Sequence, residues 1–224
     1  VNQTPVDSVH QNPDNVGSHP GNPPPVPIRM SQCPSSLPIR PTVILAVALV
    51  TVTIGAGANK KPIESGRAIG QPVPSFYVRA VTGPLRNKSV CYVCRNGSRP
   101  CVMVLFRETS PVLGALLKEI DKVVDRNRAK GLRSFGVLIS PEPGRAISRL
   151  QTMAFNQKIT LPLSVATDVV GSPSCQNIHK QAEVTVVLYR RQKVVDRFGF
   201  RSKELNSAGT AQVLARIKRL LDGS

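Results

Sequence analysis

The sequence contains few aromatic residues and few cysteines, and each shortage excludes a class of protein. Its 224 residues include no tryptophan, three tyrosines and six phenylalanines, so any core depends on Val, Leu, Ile and Ala. Apolar residues still make up 41% of the chain, which excludes a wholly disordered protein. Five cysteines are too few for a small domain that disulfides hold together in place of a core.

Acidic residues and histidines are also scarce, and two common nucleotide-binding motifs are absent. The chain has 13 Asp and Glu against 30 Lys and Arg, which gives a formal net charge of +17. Neither G-x-x-x-x-G-K-[ST] nor G-x-G-x-x-G occurs, so nucleotide binding has no support. His179 is the only histidine after residue 29 and has no motif around it, which argues against a Ser-His-Asp set. We therefore expect no cofactor.

The first 58 residues differ in composition from the rest of the chain. Residues 1–29 contain seven prolines and no Leu, Phe or Tyr, which predicts disorder. Met30 then opens a short segment with Arg40, an apolar run at 42–54 and the A-x-A sequence that ends at Ala58, which is typical of a signal peptide. Translation from Met30 would leave residues 1–29 untranslated, and cleavage after Ala58 would export the protein to the periplasm or outside the cell. Two alternatives are a retained membrane anchor and a hydrophobic segment in the cytosol.

Residues 59–68 are predicted to be a linker, and residues 69–224 an α/β domain. The periodicity predicts a central mixed sheet of about five strands, flanked by helices. Strand-like runs lie at 76–83, 101–106, 134–140, 161–167, 184–190 and 193–200, and helical patterns at 110–131, 142–158 and 206–223. Ser110 is the expected N-cap of the first long helix, with Pro111 at its first position.

Two stretches carry a resemblance to a known fold. Gly70 to Phe76 reads GQPVPSF, similar to the G-x-x-x-P-x-F opening of redoxins, and VTVVLYRRQKVVDRFGF at 184–200 is similar to their closing hairpin. Over about 68–222 the chain resembles the thioredoxin-like fold, and within it the redoxin and peroxiredoxin branch, which includes alkyl hydroperoxide reductase and thiol-specific antioxidant proteins. The resemblance implies thiol-disulfide or antioxidant chemistry on a protein or small-molecule thiol or disulfide.

The usual active-site position of that family is not retained. Its reactive cysteine follows the first central strand, where the start of a helix stabilises a thiolate. The corresponding stretch 105–114 has no cysteine, and Thr109, Ser110 and Pro111 occupy it. The proline that the family places before the closing hairpin is also missing, because residues 182–185 read AEVT.

A displaced CxxC offers the best candidate for a redox site. Cys91 and Cys94 precede the first central strand, and Arg95 and Arg99 beside them would favour thiolates. In this interpretation Cys91 attacks and Cys94 resolves, although nothing in the sequence determines their order. Cys101 and Cys175 would then form a structural or secondary pair.

Other interpretations of the same residues remain open. The cysteines could be structural disulfides only, or Cys91, Cys94, Cys101 and Cys175, with His179 as a substitute, could bind zinc. In either case the domain would be a catalytically inactive binding or scaffold module with a basic surface.

Basic residues concentrate in two stretches. One follows the first long helix and its exit, and the other lies on the closing hairpin. They are Lys118, Lys122, Arg126, Arg128, Lys130 and Arg133, and Arg190, Arg191, Lys193, Arg197 and Arg201. An anionic cell-surface polymer is a possible partner, and a merely solvated surface is the alternative. Nucleic acid is not expected because export would separate it from the protein, and membrane contact is expected only if the 41–58 segment is retained.

Overall fold

A computed structural model of the protein describes residues 61–222. The predicted disorder of 1–29, the predicted signal peptide at 30–58 and the first two residues of the predicted linker lie outside the described residues. Within residues 61–222 no helix is long and apolar enough to cross a membrane.

The described residues form seven strands and four α-helices in the order of a mixed α/β domain. The strands are β1 (Val78–Ala80), β2 (Ser89–Val90), β3 (Cys101–Phe106), β4 (Arg133–Ile139), β5 (Leu163–Ala166), β6 (Val184–Arg190) and β7 (Lys193–Phe200). The helices are α1 (Tyr92–Asn96), α2 (Pro111–Arg126), α3 (Pro143–Asn156) and α4 (Ser207–Asp222), and a 3-10 turn covers Asp168–Gly171.

The predicted α/β class is confirmed, with more strands than the sequence predicted. The sheet has seven strands where about five were expected. All six strand-like runs belong to it, and the short strand β2 pairs with β1 and extends one edge. Neither β2 nor α1 was predicted. Two and five residues are too few to produce a periodic pattern of apolar positions. The helix predicted over 110–131 ends earlier, at Arg126, and Gly131 ends only the turn that follows.

The sheet has the order β2-β1-β5-β4-β3-β6-β7. Strands β3, β4 and β5 are parallel neighbours, whereas β6 pairs antiparallel with both β3 and β7. The two crossovers, β3 to β4 and β4 to β5, step in the same direction across the sheet. Because such crossovers are right-handed, α2 and α3 must lie on the same face.

The two faces of the sheet are covered differently. One core cluster joins the buried residues of α2, α3 and α4 to alternate sheet positions such as Val102, Val104 and Phe106. The other cluster contains the intervening positions Met103 and Leu105 and no residue from those three helices. Short helix α1 and irregular segments near residues 73–76 and 170–178 cover this second face. The expectation of a sheet flanked by helices therefore holds for long helices on one face only.

Residues 63–66, expected to belong to a linker, contact the closing hairpin. Ile63 forms a bridge with Gly199, and a Cβ at that glycine would lie 2.9 Å from the Ile63 carbonyl oxygen. Ser65 is fully buried, and its hydroxyl lies 2.6 Å from that of Thr185. These contacts place the start of the packed region before residue 69.

Candidate functional site

The CxxC lies at the end of the sheet where β3 begins. Cys91 is the N-cap residue of α1, and Gly97, with φ of 55°, ends the helix where the sequence predicts a tight turn. The side-chain amide of Asn96 donates to the sulfur of Cys101, the first residue of β3, at 3.2 Å. These contacts hold the short helix against the beginning of the central strand.

Cys91 and Cys94 are joined by a disulfide whose two sulfurs differ in exposure. The Cα atoms are 5.4 Å apart, and Cys91 is 5% exposed whereas Cys94 is exposed. The Cys94 backbone N–H donates to Cys91 Sγ at 3.2 Å. The Ser75 hydroxyl oxygen lies 3.4 Å from Cys94 Sγ on the outer side of the pair. An attacking thiolate can therefore reach the Cys94 sulfur more easily than the Cys91 sulfur.

The expected pair of Cys101 and Cys175 does not form. Both are free thiols, Cys101 fully buried at the start of β3 and Cys175 half-buried after the 3-10 turn. Burial raises the pKa of Cys101 to about 12 and also raises the pKa of Cys175. Neither thiol is set up as a nucleophile near neutral pH.

The cysteines do not assemble into a zinc centre. Two of the four ligands in that alternative are consumed by the disulfide, and thiolates are needed to bind zinc. Across residues 61–222, no three Cys, His, Asp or Glu side chains come together in a way that could hold a metal ion. His179 is exposed, and its Nδ1 accepts a hydrogen bond from the backbone N–H of Gln181.

The opposite end of β3 is where redoxins place their reactive cysteine. Here Ser110 caps α2, since its hydroxyl oxygen accepts from the Leu113 N–H at 3.2 Å, and Pro111 follows as predicted. With Thr109 these residues line an open cavity of about 420 Å³ against α3. This end has the geometry that stabilises a thiolate but no thiol.

Five of the basic residues in the two basic stretches form ion pairs inside the protein. They are Lys118 with Asp121, Lys122 with Glu119, Arg128 with Asp125, Arg197 with Glu64 and Arg201 with Glu204. These pairs reduce the charge available to a partner. Binding of an anionic cell-surface polymer stays a prediction.

Ser75 lies beside the disulfide although the sequence did not predict this contact. This serine belongs to the GQPVPSF stretch, which was noticed only for its likeness to a redoxin opening. Its distance from Cys94 depends on the contacts of residues 70–73 with the turn between β6 and β7. The backbone N–H of Val73 donates to the Gln192 carbonyl at 2.8 Å, and that of Gly70 to the Val194 carbonyl at 2.8 Å. A single sequence carries no signal for such a distant contact.

Comparison with solved structures identifies the fold. A candidate protein disulfide isomerase from Bacteroides thetaiotaomicron superposes with a TM-score of 0.54 at 16% identity, over 71% of this chain and 95% of that chain. A candidate thiol:disulfide interchange protein DsbE from Chlorobium tepidum gives 0.51 at 17% identity, over 69% and 98%. A mutant of PrxQ from Xylella fastidiosa gives 0.53 at 12% identity, over 70% and 98%.

The fold is therefore thioredoxin-like, as the two sequence stretches suggested. No protein-family model matches the sequence, and comparison with curated proteins finds no match.

Proposed function

We propose that this chain is a thiol-disulfide oxidoreductase that works through the Cys91–Cys94 disulfide. The observation that supports it is the unequal exposure of the two sulfurs, with Cys94 at the surface and Cys91 buried at the start of α1. The substrate would be a protein or small molecule that carries a thiol or a disulfide. The thioredoxin-like fold is compatible with this chemistry.

In the oxidising direction, a substrate thiolate attacks Cys94 Sγ. A new S–S bond forms between substrate and Cys94, the Cys91–Cys94 bond breaks, and its electron pair stays on Cys91 as a thiolate. A second substrate thiolate then attacks the substrate sulfur of the mixed disulfide and releases the Cys94 thiolate. The substrate loses two electrons and two protons in forming its disulfide, and the protein gains both as two thiols.

The surroundings of Cys91 suit a leaving group. The Cys94 N–H that donates to Cys91 Sγ would stabilise the negative charge that develops when the disulfide breaks. In the reducing direction Cys94 attacks and Cys91 closes the disulfide again. This order is the reverse of the one expected from the sequence, in which Cys91 attacked, and burial is the reason for the change.

Reduction of insulin disulfides by dithiothreitol tests the activity. We expect the protein to accelerate it, and the Cys91→Ser and Cys94→Ser variants to fall to the rate of dithiothreitol alone, because one thiol cannot form the internal disulfide. A Cys175→Ser variant is the matched control and should keep the full rate. An unchanged rate in both CxxC variants would remove this pair from the mechanism.

A trapping experiment tests the order of the two cysteines. Reduced Cys91→Ser should form a lasting mixed disulfide at Cys94 with an aromatic disulfide reagent, since no partner thiol can resolve it. Reduced Cys94→Ser should react much more slowly, because its remaining thiol at Cys91 is buried. Faster capture by Cys91 would restore the order expected from the sequence.

A purely structural disulfide is the competing function for the same residues. The packing of Cys91 with Tyr92 and Val93 in a core cluster favours it, because a buried bond of this kind can simply stabilise a loop. In that case the domain would be an inactive binding module. A disulfide that resists mild reductant in the folded protein, while the insulin assay shows no acceleration, would support this second function.

We also propose that the protein is exported through the segment 30–58. A CxxC disulfide is more stable in an oxidising compartment than in the cytosol, which agrees with this location. Residues 30–58 fused to alkaline phosphatase should give active enzyme, and the mature chain should begin at Asn59. An uncut chain in the membrane fraction would indicate an anchor, and inactive fusion protein in the cytosol would contradict export.

A further inference from the structure

A cavity of about 320 Å³ lies beside α1. Its lining comes from α1 and the residues after it, from α2 and the turn that follows, from the start of β4, and from residues 84–85 and 161–162. The polar residues that line it are Tyr92, Arg95, Asn96, Arg99, Asp121, Arg128, Arg133 and Ser134. Four of these eight are arginines, which is an unusual concentration around one small volume.

Most of this positive charge has no acidic partner. Within residues 61–222, Arg95 and Arg99 form no ion pair and no side-chain hydrogen bond, and both are exposed. Arg133 donates only to the backbone carbonyls of Arg128 and Leu132, which leaves its charge uncompensated. Arg128 is the exception, because it pairs with Asp125 at 2.7 Å.

Two buried hydroxyl groups on the cavity wall also have no hydrogen-bond partner in the protein. Tyr92 is 7% exposed and Ser134 is 8% exposed, and neither side-chain oxygen is hydrogen-bonded. The Tyr92 ring stacks on Phe135 with centroids 5.0 Å apart, which holds the phenol in place. Arg95 lies near enough to oppose the rise that burial causes in the pKa of Tyr92. Buried hydroxyls are normally hydrogen-bonded, so the lack of a partner at both positions is uncommon.

The one carboxylate on the wall is already occupied. Asp121 is 1% exposed and accepts from the N–H and the hydroxyl of Thr160, at 2.7 Å and 2.9 Å, with Lys118 Nζ at 3.8 Å. Its charge is therefore shared with groups of its own, and the arginines dominate the field inside the cavity. A cavity of this volume can hold a small-molecule ligand.

We propose that this cavity is a binding site for a compact polyanion with at least two oxyanion groups, either phosphoryl or carboxylate. Arg95, Arg99 and Arg133 supply charged N–H donors, and guanidinium groups bind such oxygens in pairs of hydrogen bonds. The site does not depend on the redox function, since neither cysteine of the disulfide lines it.

Isothermal titration calorimetry of the full chain tests the site, with pyrophosphate and citrate as separate probes. We expect saturable binding of one molecule per chain for at least one probe. Tight binding of pyrophosphate alone would assign a phosphoryl ligand, citrate alone a carboxylate ligand, and similar affinities a general oxyanion site. Absence of saturable binding for both would overturn the proposal.

Matched variants separate this site from general attraction to a basic protein. Arg95→Gln with Arg99→Gln should weaken binding by about tenfold or more, because two charge-assisted contacts are lost. Lys218→Gln with Arg219→Gln removes the same charge from the exposed side of α4 and should change affinity by less than about twofold. Equal weakening by the two pairs would overturn the proposal, since it would mean diffuse electrostatics only.

Tyr92→Phe supplies a variant that keeps the fold and the net charge. It removes one hydroxyl whose oxygen is closed off from the cavity and retains the ring that stacks on Phe135, so the melting temperature and the affinity should both stay close to those of the parent. A loss of affinity as large as that of the arginine pair would overturn the assignment of binding to the arginines. The Cys91→Ser, Cys94→Ser double variant should bind the probe like the parent, so failure of this site and failure of the redox function are distinguishable.

Discussion

The two ends of strand β3 divide between them what redoxins combine at one end. At the end that begins with Cys101 lie the disulfide and the short helix α1. At the end that follows Phe106 lies Ser110, the capped start of the sixteen-residue helix α2, with no cysteine nearby. The long helix with its ordered N–H groups is therefore separated from the thiols by the length of the strand.

A thiol would therefore have different surroundings at the two ends of β3. A thiol at the start of α2 would be activated by the helix, whereas Cys91 and Cys94 must rely on one backbone N–H and on exposure. The lack of a cysteine at the start of α2 therefore does not exclude thiol chemistry at the other end of β3. Thiol reactivity has to be tested separately at each end of β3.

Leu117→Asp should have the largest effect on stability, because it disrupts the packing of helix α2, which begins at the end of β3 that follows Phe106. Leu117 is fully buried in the cluster beneath α2, and an unpaired buried carboxylate should cost about 4 kcal/mol or more of unfolding free energy. Thermal and urea unfolding would measure it. Val112→Asp on the same helix is the control, since Val112 is 45% exposed and should change stability little. A Leu117→Asp protein that melts like the parent would mean that α2 does not pack on the sheet.

Loss of the disulfide should have a smaller effect on stability. A bond that closes a loop of only four residues restricts the unfolded chain weakly, so Cys91→Ser with Cys94→Ser should lose about 2 kcal/mol in the chain-entropy account. Urea unfolding of the oxidised parent, the reduced parent and the double variant would measure it. The reduced parent should resemble the variant. Complete unfolding on reduction would show that the disulfide holds this end together and would favour the structural function.

Ser110→Cys places a thiol at the start of α2 and so allows a direct comparison of thiol reactivity between the two ends of β3. The new side chain would occupy the N-cap of α2, where the Leu113 N–H and the helix dipole favour a thiolate, so its pKa should fall by about one unit or more. Iodoacetamide at about pH 6, followed by peptide mass analysis, should label it about tenfold faster than a thiol of ordinary pKa. Ile69→Cys, at a 64% exposed position between Ala68 and Gly70, is the matched control. Equal labelling of the two would mean that α2 does not activate this position.

The smallest effect expected is a loss of stability at high pH that arises from the buried thiol of Cys101, at the start of β3. Burial raises the pKa of Cys101 from 9.0 in the unfolded chain to about 12 in the folded one. Between these two pKa values the folded state keeps the proton of the Cys101 thiol, whereas the unfolded chain loses it. The contribution of this thiol to the free energy of unfolding is therefore complete below pH 9.0 and is lost as the pH rises.

Urea unfolding from about pH 8 to about pH 10 measures this slope, and Cys101→Ala should flatten it. Cys175→Ala is the control, because that thiol is only half-buried and should contribute less. A parent protein with no slope in this range would show that Cys101 is accessible to solvent.

Much of the fold followed from local patterns in the sequence. Strands β3, β6 and β7 have the predicted bounds because β3 and β6 are mainly apolar runs and β7 follows β6 directly across the short turn at Arg191 and Gln192. Helix α2 begins where Ser110 and Pro111 predict it. Strand β2 and helix α1 escaped prediction because they are short and gain their stability from contacts with β1 and β3 rather than from their own pattern.

The sequence by itself determined the order of the longer strands and helices through periodicity and the CxxC as the candidate site through its spacing, whereas the thioredoxin-like arrangement was implied by the resemblance of two stretches to redoxins. Only the tertiary structure decided which sulfur is exposed, that Cys101 and Cys175 stay apart, and that four arginines from separate parts of the chain surround one cavity. Exposure and proximity arise from contacts between residues far apart in the chain. The approach of Gly70 and Val73 to the turn between β6 and β7, which brings Ser75 to Cys94, is such a contact, and no local pattern encodes it.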